Sequence, residues 1–129
     1  MPEAYSEAAK RHYADAKTLA ASQRFDNAGH LIGFAAECAL KHAFELNEPQ
    51  RENPRLHLPD IAGAMLRRLS SRNTKTAGLR TLLLQTQAAF FHDYSVSDRY
   101  SANGTVTDAM YLQWEALARR TFGAAGIRQ

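Results

Sequence analysis

The sequence predicts an all-α fold, and three observations favour it. Apolar residues recur with helical spacing over several long segments, no segment alternates apolar and polar residues as a strand would, and proline- or turn-rich segments separate the helical ones. At 129 residues and 45% hydrophobic content, the chain is long enough for one domain with its own core. We therefore expect an up-and-down four-helix bundle plus one short extra helix, as a single domain over 1–129 with an ordered core at about 4–122.

The first three helices follow from periodicity and from one clear break. We expect an amphipathic helix over 3–22 and a second over 26–46 that is apolar on more than one side. Gly29 and Gly33 weaken that second helix, so they indicate a neighbour packed close to its backbone. The segment NEPQRENPR contains two prolines and is predicted to be a loop, followed by a short helix at about 59–70.

The last two helices are separated by the turn-rich segment SANGTVTD. The fourth is expected over 76–91, and it carries a second apolar face beside its main one, formed by Ala77, Leu84, Ala88 and Phe91. A helix with two apolar faces needs two partners, so this face suggests a second subunit. The fifth helix is expected from a cap at Thr107 or Asp108 to Phe122, with a frayed tail after it.

Composition restricts the class of protein. No apolar run reaches the roughly 20 residues of a membrane helix, and the first residues lack the apolar core of a signal peptide, so we expect a cytoplasmic protein. One cysteine, Cys38, excludes an intramolecular disulfide framework. A net charge of +3 is too small to indicate nucleic-acid binding by itself.

The distribution of basic residues says more than their number. No acidic residue lies between Asp60 and Asp93, whereas five basic residues do. They are Arg67, Arg68, Arg72, Lys75 and Arg80. Such a segment is either a solvated surface or a surface that binds the phosphates of a nucleic acid, and the sequence leaves both interpretations open.

The pattern of possible ligands predicts no metal site and no cofactor. The five histidines show neither the two-histidine spacing of helical zinc sites nor the repeated Glu-x-x-His of di-iron bundles, and no glycine-rich phosphate loop is present. His12 lies on the apolar face of the first helix and is expected to be a hydrogen-bonded core histidine. Glu37 and Lys41 have the spacing of an ion pair on one helical face.

One long segment carries a family resemblance. HYADAKTLAASQRFDNAGHLIGFAAECALKHAFE resembles the first two helices of the HEPN domain (higher eukaryote and prokaryote nucleotide-binding), including a pattern close to Ala-x-Glu-x-x-Leu-Lys at Ala35, Glu37, Leu40 and Lys41. The resemblance covers about residues 4–122. It implies an all-α homodimer and, for many members, metal-independent ribonuclease activity.

The same resemblance identifies candidate catalytic residues. The family signature is an arginine, four to six residues, then a histidine, with a tyrosine two residues later in one toxin branch. His92 and Tyr94 match its second half, but Gln85, Thr86 and Gln87 stand where the arginine belongs. In metal-free RNA cleavage a histidine moves protons and a cation stabilises the charge on the phosphoryl oxygens. Arg99 is our candidate for that cation.

A second stretch fits the spacing of the signature. Arg51 and His57 are separated by five residues. They lie in the proline-containing loop before the third helix, however, and not where the family has its site. We interpret this match as a coincidence.

Three hypotheses follow. The first is a HEPN-like homodimer with a degenerate ribonuclease motif that binds RNA or a nucleotide, in a defence or toxin–antitoxin setting. The second is an active metal-independent endoribonuclease that uses His92, Tyr94 and Arg99. The third is a structural module that dimerises or docks a nucleotidyltransferase partner, such as an antitoxin.

Overall fold

The computed structural model describes residues 4–69, 76–86, 89–95 and 100–128. Within these ranges the chain is helical, with no β-strand, so the all-α class is confirmed. None of the described helices is both long and apolar enough to cross a membrane. The five helices are α1 (Tyr5–Ala21), α2 (Phe25–Asn47), α3 (Asp60–Arg68), α4 (Ala77–Thr86) and α5 (Asp108–Ala125).

Helix α2 is the centre of the fold, as its apolar pattern predicts. Helix α1 packs along α2, and the short turn that joins them contains Gln23, which has a φ of 61°. Helix α5 packs against α2, and it touches α1 where the Tyr13 and Phe122 rings lie 5.1 Å apart. Helices α3 and α4 complete the domain, with α3 contacting α2 and α4 contacting α5. Most of the apolar side chains of α2 are thereby buried.

The two glycines of α2 allow close approach of aromatic side chains. A Cβ atom at Gly29 would lie 2.8 Å from the Trp114 ring, and one at Gly33 would collide with the Tyr94 ring. At both positions the Cβ atom would lie closer to the ring than the Cβ atoms of real proteins lie to their neighbours. The close neighbour predicted from these glycines is therefore confirmed.

Helix α4 ends earlier than its periodicity predicts. Its described part ends at Thr86, and residues 89–91 are not α-helical, whereas the apolar pattern continues to Phe91. Residues 87 and 88, which include Ala88 of the predicted second face, lie outside the described residues. Phe91 has a φ of 52° and is completely buried among Phe90, Tyr94 and Trp114. The predicted second apolar face is thus wrong in its last member, because that phenylalanine joins the core of its own chain.

Helix α5 begins as predicted and ends later. The Thr107 side chain accepts a hydrogen bond from the Met110 amide at 3.1 Å, so the predicted cap is confirmed. The helix runs past Phe122 to Ala125 and ends at Gly126, whose φ of 75° suits glycine. The tail does not fray at once, because Ile127 is buried.

The turn before α5 is attached to the start of α2 by a carboxylate. Asp26 accepts hydrogen bonds from the backbone amides of Gly104 and Val106, each at 2.9 Å. These two hydrogen bonds, more than any other cause, lower the pKa of Asp26. The first turn of α2 therefore holds a distant loop through an ionised side chain.

Candidate functional site

The proline-containing loop before α3 is held against α2 by several hydrogen bonds. We call residues 48–59 the anchored loop. The Asn53 side chain donates to the Lys41 carbonyl at 3.3 Å, and the Leu58 amide donates to Glu37 at 3.2 Å. At the far side, Arg51 donates to the Arg68 carbonyl at the end of α3 at 3.3 Å. These hydrogen bonds therefore fix the anchored loop to α2 at one side and to the end of α3 at the other.

Glu37 is the buried centre of this attachment. Its side chain is only 8% exposed, yet it is a carboxylate. It accepts from Nδ1 of His57 at 3.1 Å, from the Leu58 amide at 3.2 Å and from Nζ of Lys41 at 3.3 Å. A buried charge is tolerated only when it is paired and hydrogen-bonded, and here two side chains and one amide meet that need. The ion pair predicted between Glu37 and Lys41 is thus confirmed.

The position of Glu37 determines what His57 can do. Because an ionised carboxylate only accepts hydrogen bonds, Nδ1 of His57 carries the proton and Nε2 is left for a ligand. The imidazole is 56% exposed, so a ligand in solvent can reach it. A histidine oriented by a carboxylate is the arrangement that enzymes use for proton transfer, and the same orientation serves hydrogen bonding to a ligand.

Between the anchored loop, α2 and the start of α1 lies a cavity of about 670 Å³, which we call the loop cavity. Its volume lies in the range of small-molecule binding sites. Cationic and carboxylate side chains both line it, beside the aromatic ring of Tyr5. The charged or ionisable residues are Lys41, Glu45, Arg51, Glu52, Arg55 and His57.

Part of the predicted basic segment contacts the anchored loop, which forms one side of this cavity. Arg68, at the end of α3, donates to the Glu52 carbonyl at 3.4 Å, and its backbone carbonyl accepts the hydrogen bond from Arg51. Two hydrogen bonds thus join the end of α3 to the anchored loop. Arg67 and Arg68 are both exposed. These two arginines lie outside the lining of the loop cavity.

The rest of the basic segment is divided. Arg80 donates to the carbonyls of Leu66 and Leu69 at 3.0 and 3.3 Å, so its guanidinium caps the end of α3 and holds α4 against it. Arg72 and Lys75 lie outside the described residues. Arg80 thus has a structural function that the run of charges does not reveal.

Tyr94 lies in the core. It is 3% exposed, its ring packs edge-on against Trp114 and Phe91, and its hydroxyl donates to the His30 carbonyl at 3.0 Å. That hydroxyl is directed to the backbone of α2. The structure therefore does not bring Tyr94 to the solvent side where His92 lies.

His92 is exposed in the turn after α4 and is not at the end of that helix. Its side chain is 62% exposed, and its Nδ1 lies 3.2 Å from the Ala89 carbonyl and 4.0 Å from Asp93. It lines a smaller cavity of about 300 Å³, together with Arg120 of α5. We call this the His92 cavity. The predicted cation Arg99 lies outside the described residues.

Sequence reasoning missed the contact between Glu37 and His57. The two residues are twenty positions apart, and helical periodicity says nothing about which loop covers a helix. One signal was present, because Arg51 and His57 have the spacing of the family signature. The structure places both of them on the loop cavity.

The described residues contain no group of three histidine, cysteine, aspartate or glutamate side chains that could hold a metal ion.

No protein-family model, no curated protein and no solved structure matches the chain. The function must therefore be argued from the geometry of the two cavities.

Proposed function

We propose that the chain binds RNA or a nucleotide in the loop cavity, through the phosphate groups of the ligand. The observation that carries the proposal is the buried carboxylate of Glu37, which fixes His57 on a cavity wall that also contains Lys41, Arg51 and Arg55. Arginine, lysine and histidine are the side chains that proteins use to bind phosphate oxygens. The exposed Arg67 and Arg68, at the end of α3, would bind further phosphates of a longer nucleic acid.

The HEPN resemblance supports the proposed class of ligand. Glu37 and Lys41 belong to the pattern on which the resemblance rests; Lys41 lines the loop cavity, and Glu37 binds His57, which also lines it. The HEPN-like bundle, the homodimer and the defence or toxin–antitoxin setting remain proposals that accompany this one. The resemblance supports a nucleotide-related ligand over an unrelated anion.

A comparison of variants tests the proposal. Fluorescence anisotropy with a labelled single-stranded RNA at low salt measures binding to the wild type, to Arg51→Ala/Arg55→Ala and to His92→Ala/Arg120→Ala. We expect the first double variant to lose about tenfold or more in affinity and to flatten the salt dependence. The second double variant alters the other cavity and serves as the matched control. Equal losses in both would contradict the assignment, and no binding to the wild type would favour the role as a docking module.

Metal-independent RNA cleavage is a second candidate function, favoured by the orientation of His57. With Nδ1 bound to Glu37, Nε2 of His57 is available to take the proton of a 2′-hydroxyl as that oxygen attacks the adjacent phosphate. The bond from phosphorus to the 5′-oxygen of the next nucleotide breaks, that oxygen takes a proton from water, and a 2′,3′-cyclic phosphate is left. Arg51 would stabilise the charge on the phosphoryl oxygens. Incubation of RNA with the protein in excess chelator tests this: cleavage that His57→Ala abolishes and His92→Ala preserves would establish it, and the reverse result would return the site to His92.

A further inference from the structure

The charged side chains of the loop cavity fall into two groups. Lys41 and His57 both pair with Glu37, and Arg51 donates to the Arg68 carbonyl. Within the described parts of the chain, by contrast, the side chains of three other residues form no hydrogen bond or ion pair. These are Glu45, Glu52 and Arg55.

Two uncommitted carboxylates are unexpected in a site for an anion. A carboxylate repels a phosphate, and it lowers affinity unless the ligand also offers a hydrogen-bond donor to it. The lining of the loop cavity therefore suits a ligand with an anionic group and a donor group close together. A nucleotide has this combination, because the hydroxyls of its ribose and the amino groups of its base donate hydrogen bonds near the phosphate.

Glu45 is the better placed of the two carboxylates. It lies four residues after Lys41 on α2, so the two side chains are neighbours on one face of the helix, with Cβ atoms about 5–6 Å apart. Glu52 belongs to the anchored loop. A side chain on a helix that is packed into the core holds its position more precisely than one on a loop.

The donor group of the ligand follows from the other contents of the cavity. Tyr5 provides an aromatic ring on which a base can stack, and Lys41 and Arg55 provide cations for the phosphate. The part of a nucleotide that still requires a partner is the ribose, whose hydroxyls donate hydrogen bonds. A carboxylate that accepts from ribose hydroxyls is a common element of nucleotide sites.

We infer that Glu45 accepts a hydrogen bond from the 2′-hydroxyl of the ligand and thereby makes the loop cavity selective for ribonucleotides over deoxyribonucleotides. The inference rests on the proposed function and deepens it by naming the sugar. The 2′-hydroxyl is the group by which a protein distinguishes RNA from DNA at a given position.

Paired oligonucleotides test the inference. Anisotropy titrations of the full chain use single-stranded RNA, DNA of the same sequence and the corresponding 2′-O-methyl RNA. We expect the wild type to bind RNA about tenfold more tightly than the other two, which is the effect of one hydrogen bond to a charged group. Glu45→Gln should remove most of this preference for RNA, because it weakens the hydrogen bond from the 2′-hydroxyl, while DNA affinity stays the same or rises as the repulsion of the phosphates is relieved.

The control is Glu48→Gln, which removes the same charge at the end of α2 from a residue that does not line the cavity. It should leave the preference for RNA unchanged. If Glu45→Gln tightens or weakens RNA and DNA equally, the carboxylate acts on the phosphate or on the base and the inference is wrong. If the wild type binds RNA and DNA equally, ribose selection fails while the proposed function stands. If it binds neither, both fail.

Discussion

The loop cavity and the His92 cavity each place an exposed histidine beside a carboxylate, and they differ in the burial of that carboxylate. Glu37 is 8% exposed and is bonded to His57 directly, at 3.1 Å. Asp93 is 32% exposed, lies 4.0 Å from His92, and accepts a hydrogen bond from the Trp114 indole at 2.8 Å. The histidine that matches the family tyrosine motif is therefore the less firmly held of the two.

The surroundings of the two histidines show that a residue's appearance in the sequence does not give its role in the structure. Around His92, the side chains that look functional in sequence, Tyr94 above all, stabilise the core. Around His57, a glutamate that looks like half of a surface ion pair is buried and organises a cavity. Burial of the partner, more than the identity of the histidine, distinguishes a prepared site from an exposed side chain.

The largest effect is expected from Gly33→Ala, at the contact between α2 and the Tyr94 ring, two residues after His92. The added methyl group collides with the Tyr94 ring, so the free energy of unfolding should fall by about 2–3 kcal/mol, measured by urea denaturation. Gly78→Ala is the matched control, since no atom lies within 4 Å of a Cβ atom there, and it should be neutral or slightly stabilising. Equal stability of the two variants would show that Tyr94 does not pack against α2.

The next effect is expected at the loop cavity, from Glu37→Gln. The amide keeps the shape of the side chain but loses the charge that binds His57 and Lys41, so stability should fall by about 2 kcal/mol and RNA affinity should fall with it. Chemical denaturation and anisotropy measure the two quantities on one preparation. Asp93→Asn should leave RNA affinity intact, and a loss there would shift the site to the His92 cavity.

Tyr94→Phe separates packing from chemistry. It removes only the hydroxyl that donates to the His30 carbonyl, and it should lower the free energy of unfolding by about 1 kcal/mol. RNA binding and any RNA cleavage should be unchanged, because that hydroxyl is directed into the core. Loss of cleavage with unchanged stability would instead support a catalytic tyrosine.

The smallest effect concerns pH and lies away from both cavities. The pKa of Asp26 is lowered in the folded state by the amides of Gly104 and Val106, so the unfolded chain takes up the proton first as the pH falls. The stabilisation is complete above about pH 4 and is lost below it. Asp26→Asn should cost about 1 kcal/mol or less at neutral pH, and its unfolding curve should depend less on acid than that of the wild type. Identical acid dependence in both proteins would contradict this assignment.

Local patterns predicted most of the helices because each helix buries one continuous face. The cap at Thr107 and the close packing at Gly29 and Gly33 are also local, since each depends on one or two positions and on known backbone preferences. The end of α4 is a different case. Neither a glycine nor a proline stands immediately before Phe91 to announce the end of the helix. Phe91 adopts a positive φ because its ring packs into the core there, and packing of this kind is not visible in the periodicity.

The candidate site was predictable only in part. The pairing of Glu37 with Lys41 follows from their spacing, but the pairing with His57 depends on the path of the anchored loop across α2. The same holds for Arg80, which reads as part of a basic surface until its carbonyl partners at the end of α3 are known. Contacts between a loop and a helix depend on the whole fold, and a single sequence does not contain them explicitly.

The single tryptophan has a practical consequence for spectroscopy. Trp114 is 1% exposed, lies against Tyr94 and Gly29, and does not line the loop cavity. Its fluorescence therefore reports the aromatic core around α5. A ligand in the loop cavity should leave the emission maximum unchanged, whereas loosening of the core should shift it to longer wavelengths. One optical signal can thus distinguish a variant that fails to bind from a variant that fails to fold.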